Sequence, residues 1–177
     1  TEWLLRHYLS VKMIISASVM LTSLGYGKEH NLKITEPYLL YYSLLTSSRA
    51  LIFTSPDVEW NNGEIVTMNH SKIINLVSDQ VGQINRGKGE DLKSSLLSAK
   101  DYREMFSYKF PASGIRVTQE NKLIDFEKVV NICSLLLEIA QFNSEQLQYC
   151  IERYWQDDKL PGINKELFNE AITYEFG

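Results

Sequence analysis

Two cysteines, three histidines and no unbroken apolar run long enough to span a bilayer leave few familiar chemistries open to this 177-residue chain. Cys133 and Cys150 have no second Cys/His pair beside them and no metal-site spacing. Their separation within helical sequence predicts two buried thiols in a reducing cytoplasm rather than a disulfide framework. His7, His30 and His70 are far apart, and no His-Glu-x-x-His zinc signature occurs. Arg86-Gly87-Lys88-Gly89-Glu90 lacks the flanking strand and full spacing of a phosphate-cradling loop. The nucleophile-elbow pattern of hydrolases is missing, and the acidic pair Asp157-Asp158 sits in a polar stretch with nothing to raise either pKa. No cofactor and no metal is implied.

Trp3 to Leu24 is the most apolar segment, yet Arg6, His7 and Lys12 interrupt it and serines and threonines stud it. It reads as a buried, partly amphipathic core helix, with neither a membrane span nor a small-x-small cleavage site before Gly25.

What is present is ordinary for a globular chain: 44% hydrophobic and 23% charged residues, with ten tyrosines against seven phenylalanines. The net charge of −4 excludes a general polyanion binder. Charge is unevenly spread, however. Arg86 to Arg116 carries seven bases against four acids, whereas Ser144 to the end carries seven acids against three bases. The basic stretch is a candidate anion-binding face, and equally an ordinary solvated surface.

Helix signals follow one another along the whole length. A first helix spans about Glu2 to Leu24 and is expected to stop at Gly25 and Gly27. Thr35 is placed to cap a second, with Pro37 in its first turn and its end at Ser55 before Pro56. The loop 56–68 contains the turn signal Asn61-Asn62-Gly63, and Asn69 is placed to cap a third helix to about Gln83. Gly82, Gly87 and Gly89 are expected to loosen the next connection before Asp91 caps a helix to Tyr108, closed by Pro111 and Gly114. Ile115 to Thr118 alternates like a short extended piece. From Asp125 to Gln141 apolar residues recur at helical spacing on one broad face (Phe126, Val129, Val130, Ile132, Cys133, Leu136, Leu137, Ala140), and Asn143 or Ser144 is placed to cap a further helix through Trp155. Pro161-Gly162 precedes a last short helix from about Asn164. The expected fold is all-α, a single domain over 1–177 built as a bundle of six or seven helices. No helix-turn-helix is placed to read DNA, because the turns are too long and the helices too apolar.

One constellation exceeds what a plain helical core needs. It comprises Tyr41-Tyr42 with Arg49-Ala50-Leu51 on the second helix, His70 opening the third, and Arg103 four intervening residues before Tyr108 on the fourth. This order and spacing resembles the HEPN superfamily of all-α domains, in the branch with a Tyr-Tyr-x6-Arg-Ala-Leu helix. The likeness covers about residues 36–114, with the helices of 122–177 beyond it. In the ribonuclease members the arginine is followed after four to six residues by a histidine, and two such sites meet across a homodimer to cut RNA without metal. The resemblance implies a bacterial toxin or phage-defence setting, RNA or a nucleotide as ligand, and a second copy or another protein as partner. It implies Arg103 as the phosphate-facing cation and Tyr108 and His70 as further catalytic candidates, with Arg49, Tyr41, Tyr42 and Tyr102 as ligand-binding candidates. The chain departs from the family at Tyr108: a tyrosine, with a reference pKa of about 10, is a poor base at neutral pH.

Each residue also has an ordinary use. Arg49 suits a half-buried ion pair, His70 a satisfied helix start, and Tyr102 core packing. Arg103 has Asp101 and Glu104 close by, but side chains one and two residues apart diverge on a helix, which favours a partner elsewhere. Two further readings stand beside the RNA-directed one: a catalytically silent HEPN-like interaction or dimerisation module, and a helical adaptor without that kinship.

Overall fold

The computed structural model describes residues 2–108 and 124–156, apart from the side chains of 108 and 154–156. The fold is an all-α bundle: α1 (Glu2–Glu29), α2 (Glu36–Thr54), a 3-10 segment (Asn61–Thr67), α3 (His70–Ile84), α4 (Arg86–Tyr108) and α5 (Phe126–Gln156), with no strand among the described residues. Packing divides the chain into two compact units, residues 1–143 and 144–177. Everything that follows, the distal part of α5 excepted, concerns the first. Ile115–Thr118, Pro111, Gly114, Pro161-Gly162 and the helix expected near Asn164 lie outside the described residues.

The central element is α2, buried around nearly its whole circumference, as an apolar helix with few charges must be. On one side it packs against α1, and on the other against the antiparallel pair α3 and α4. Pro37 lies in its first turn as expected, and Ser55 ends it. Thr35 does not cap with its side chain: Oγ1 donates backwards to the Leu32 carbonyl at 3.0 Å. Asn69 does cap α3, its Oδ1 accepting from the Lys72 amide at 2.9 Å. One face of α3, formed by Ile73, Ile74, Val77 and Val81, enters the core and meets Leu92, Leu96 and Ala99 of α4. Of the broad apolar face expected on α5, Val129, Cys133, Leu136 and Ala140 complete the core, while Val130, Ile132 and Leu137 are only partly buried.

Four expectations are corrected. First, α1 runs straight through Gly25 and Gly27, and the left-handed residue that ends it is Asn31 (φ 57°), with the Leu32 amide bonding back to the Gly27 carbonyl at 2.7 Å. Second, Gly87 and Gly89 lie inside α4, which starts at Arg86 with Asn85 Oδ1 accepting from the Lys88 amide at 3.0 Å; Asp91 is not the cap. Gly89 is there for contact. A Cβ built on it would lie 2.6 Å from Gly82 Cα and 2.6 Å from the Ser78 carbonyl, so α3 and α4 approach where neither carries a side chain. Third, α5 continues unbroken past Asn143 and Ser144, since no proline or glycine interrupts residues 126–156. Cys133 is buried on it, but Cys150 is exposed, so only one thiol of the two is buried.

The fourth correction is the largest. Helix α1 is not a buried core helix but one with a mixed inward face and an apolar outward one. Its inward face carries Arg6, Ser10, Ala17 and Leu24, each buried, with Leu9, Met13 and Leu21 packed against the core, while Leu4, Tyr8, Val11, Ile15, Val19 and Tyr26 point outward. The polar groups on that face reach distant carbonyls, apart from Arg6 Nε, which has only the ion pair with Glu2 one turn away. Arg6 Nη1 donates to the Ser55 carbonyl at 2.9 Å and Nη2 to that of Val58, Nε faces Glu2 at 3.1 Å, and Ser10 Oγ donates to the Ala50 carbonyl at 3.1 Å. The Arg6 guanidinium also lies 4.4 Å from the Trp3 ring centre. Burial lowers its pKa from the ordinary arginine value, with Glu2 opposing the shift. Among the described residues α1 is the one helix long and apolar enough to cross a membrane by length and composition.

Candidate functional site

The site is assembled by α2, the start of α3 and the last two turns of α4. Tyr38 and Tyr42, one turn apart on α2, face Ser107 and Arg103, one turn apart on α4. Tyr38 Oη lies 2.8 Å from Ser107 Oγ, and Arg103 Nη1 donates to Tyr42 Oη at 3.1 Å. These two rungs set the antiparallel register of the helices. Arg103 rests over both paired tyrosines, its guanidinium carbon 5.1 Å from the Tyr41 ring centre and 5.9 Å from that of Tyr42. The two rings meet edge to face at 5.2 Å, and the His70 imidazole closes the group at 5.7 Å from Tyr41 and 6.3 Å from Tyr42.

Tyr41 is fully buried, and its Oη lies 2.8 Å from His70 Nδ1. Burial pushes the Tyr41 hydroxyl up to about 12, against the lowering influence of Arg103. It therefore keeps its proton. His70 is shifted the other way, below the ordinary histidine value, first by burial and then by Arg49, Arg103 and Lys100. Tyr41 Oη and His70 Nδ1 share one hydrogen bond: the phenol donates when the imidazole carries its proton on Nε2 and accepts when the proton is on Nδ1.

Arg103 is the polar centre. Its side chain is 13% exposed, Nη2 reaches Glu104 at 3.3 Å, and Nε is buried with no hydrogen-bond partner. The adjacent Glu104 is thus a real partner, contrary to the expectation that neighbours on a helix diverge. The guanidinium fork reaches both, Nη1 bonding Tyr42 on α2 and Nη2 bonding Glu104. Burial lowers the Arg103 pKa, but the bond to Tyr42 and the surrounding Tyr41, Tyr42 and Glu104 outweigh it and raise the value overall. Each terminal nitrogen makes one described bond and has a second N–H to offer. Lys100, one turn earlier, lies 3.9 Å from Glu104. Two cations and one exposed carboxylate therefore share this part of α4, next to the His70 ring and the Tyr42 hydroxyl.

Of the residues singled out in the sequence, Tyr41, Tyr42, His70 and Arg103 come together. Arg49 adjoins them electrostatically but is spoken for: Nη1 donates to the Val66 carbonyl at 2.8 Å and Nη2 to that of Met68 at 3.1 Å. It fastens the chain leading into α3 and so fixes His70, rather than reaching for a ligand. Tyr102 belongs to the core, packed edge to face on Phe106 at 5.2 Å, with its hydroxyl pushed up to about 12 by burial and then by Glu36. Its ordinary use, core packing, is the one the structure shows, in place of the ligand-binding candidacy. Tyr108 is the last residue of α4, and its side chain lies outside the described residues. Glu104 entered only as a poor partner for Arg103, and Lys100, Tyr38 and Ser107 were not singled out as site residues. The one-turn pairs Tyr38/Tyr42 and Arg103/Ser107 were the available signal.

Among the described residues no three of His, Cys, Asp and Glu are grouped to hold a metal ion. No family model matches the chain, and no curated protein or solved structure matches it either. The all-α fold and this tyrosine–histidine–arginine cluster are what define the molecule.

Proposed function

We propose that the protein binds a phosphate group of RNA or of a nucleotide at Arg103 and holds it without cutting. The observation that carries this reading is the cluster around Arg103: the guanidinium bonds the Tyr42 hydroxyl and pairs with Glu104, which Lys100 also approaches, beside the bonded pair Tyr41 and His70. Arginine presents a planar fork suited to phosphate oxygens, and the partial burial of this one strengthens each bond it makes. A phosphate group, with several acceptor oxygens to offer both cations at once, competes with Glu104 for Arg103 Nη2 and Lys100.

Cleavage through a 2′-hydroxyl needs a base near neutral pKa. Tyr41 titrates near 12, and His70, held below the ordinary histidine value, has its Nδ1 in the bond to Tyr41. On this reading neither supplies that base. The choice of RNA or a nucleotide among phosphate ligands, and with it a toxin or phage-defence setting, rests on the resemblance to the HEPN superfamily. The alternative of a silent interaction module draws support from a separate surface on α1.

The test is a binding and cleavage assay on the full chain with single-stranded RNA and with a nucleoside triphosphate. The reading expects retention of at least one of them, loss on Arg103→Ala, and intact RNA on a denaturing gel. Equal binding by wild type and Arg103→Ala, or RNA cleavage that Arg103→Ala abolishes, overturns it.

A further inference from the structure

The outward face of α1 has a composition that a solvent-facing helix does not call for. Leu4, Tyr8, Val11, Ile15, Val19 and Tyr26 are between 42% and 60% exposed. Leu4, Ile15 and Tyr26 are eleven residues apart, as are Tyr8 and Val19. An eleven-residue repeat advances about 3.67 residues per turn, close to the helix's own 3.6, so the strip runs nearly parallel to the axis for about 33 Å. Between Leu4 and Tyr26 the only charged residues are Arg6, which is buried, and Lys12. Lys12 is folded beside the strip, its Nζ 4.3 Å from the Tyr8 ring centre. No acid lies on this face.

The six side chains expose roughly 600 Å² of apolar surface, and Leu5, Ser18, Thr22 and the Lys12 stem bring the strip to the order of the 800 Å² per partner that a stable interface buries. It is also self-complementary. Laid antiparallel on a second copy with Ile15 at the two-fold axis, residue i meets residue 30 − i. Val11 then faces Val19, Leu4 faces Tyr26, Tyr8 faces Thr22, and Lys12 faces Ser18 rather than another lysine. A bilayer is the poorer occupant. Behind α1 lies α2, which itself packs on α3 and α4, so lipid cannot surround α1 in this fold, and one lysine is too few to anchor it in a headgroup layer.

We infer that α1 is an isologous dimerisation helix, pairing antiparallel with α1 of a second copy about a two-fold axis at Ile15. This rests on the α1 surface alone and stands or falls independently of the Arg103 site.

Sedimentation velocity of the full chain from low to high micromolar concentration is the first test. A concentration-dependent dimer is expected, with Ile15→Arg, which places two charges at the axis, weakening association by at least about thirtyfold. Cysteine cross-linking gives the geometry and does not depend on that variant folding. In a Cys150→Ser background, Ile15→Cys is expected to cross-link to itself under oxidation. Leu4→Cys is expected not to, because the two copies of residue 4 lie about 33 Å apart along the axes; Leu4→Cys mixed with Tyr26→Cys is expected to cross-link. A wild type monomeric throughout, a dimer indifferent to Ile15→Arg, Leu4→Cys self-linking as readily as Ile15→Cys, or a monomer that floats with phosphatidylcholine vesicles through this face overturns the inference.

Discussion

Replacing Gly89 with alanine places a methyl group where the backbones of α3 and α4 touch. The new Cβ meets Gly82 Cα at 2.6 Å, the Ser78 carbonyl oxygen at 2.6 Å and the Gly82 amide nitrogen at 2.8 Å, all of them backbone atoms that no rotamer change can move. Ordinary contact lies near 3.4–4 Å, so the helices must part by about 1 Å, and their apolar faces part with them. Overpacking of this kind costs about 1–3 kcal/mol or somewhat more, and the better helix propensity of alanine returns at most about 1 kcal/mol. A net loss of about 2 kcal/mol in a chain of this size lowers Tm by roughly 4–8 °C. Gly87→Ala is the matched control. Its Cβ meets only Asn85 Oδ1 at 3.5 Å, so stability is expected to hold or rise slightly. Thermal unfolding followed by circular dichroism reads both. The consequence should extend to the site, since this hairpin sets where His70 stands relative to Arg103, and phosphate binding should weaken with stability. A Gly89→Ala protein as stable as Gly87→Ala would refute the close-approach reasoning.

Arg6→Met is expected to cost about 2–4 kcal/mol, because the Ser55 and Val58 carbonyls lose a buried donor and methionine restores none; urea unfolding reads it, and a change within about 0.5 kcal/mol would contradict the buried bonding of Arg6. The depressed pKa of His70 makes stability pH-dependent with a definite sign. The unfolded chain takes up the proton near pH 6.5 while the folded one resists, so the contribution is complete above 6.5 and is lost as pH falls through the lower folded value, at no more than about 1.4 kcal/mol per pH unit. His70→Gln should flatten that window in urea titrations run across it; an unchanged slope would show that His70 is not the group responsible.

Much of the fold was legible because its signals are local. Pro37, Asn69 and the helical apolar spacing of Val129, Cys133, Leu136 and Ala140 each mark a helix by chemistry within one or two turns. What failed to read through depends on distance. The apolar residues of α1 do not show which of them face inward, and Arg6 and Ser10 can be buried beside Leu24 because they find carbonyls some fifty and forty residues away. Glycines 82 and 89 look like a loop in sequence and act as a contact in space. The site divides in the same manner. Tyr41, Tyr42, His70 and Arg103 were legible as an ordered set, and they do converge. Arg49 and Tyr102 have the same residue types but spend them on backbone carbonyls and core packing, which no spacing rule distinguishes from ligand binding.

The central claim, a phosphate held by Arg103, is tested most directly by fluorescence anisotropy of labelled single-stranded RNA titrated at a series of salt concentrations. Each phosphate contact contributes a fixed slope to the logarithm of affinity against the logarithm of salt. Wild type is expected to show a measurable slope and Arg103→Ala a weaker affinity with the slope reduced by about 1. Glu104→Gln is expected to bind more tightly than wild type, since it removes the carboxylate that competes for Arg103 and Lys100. Binding whose affinity and salt slope are the same in all three proteins would contradict the account.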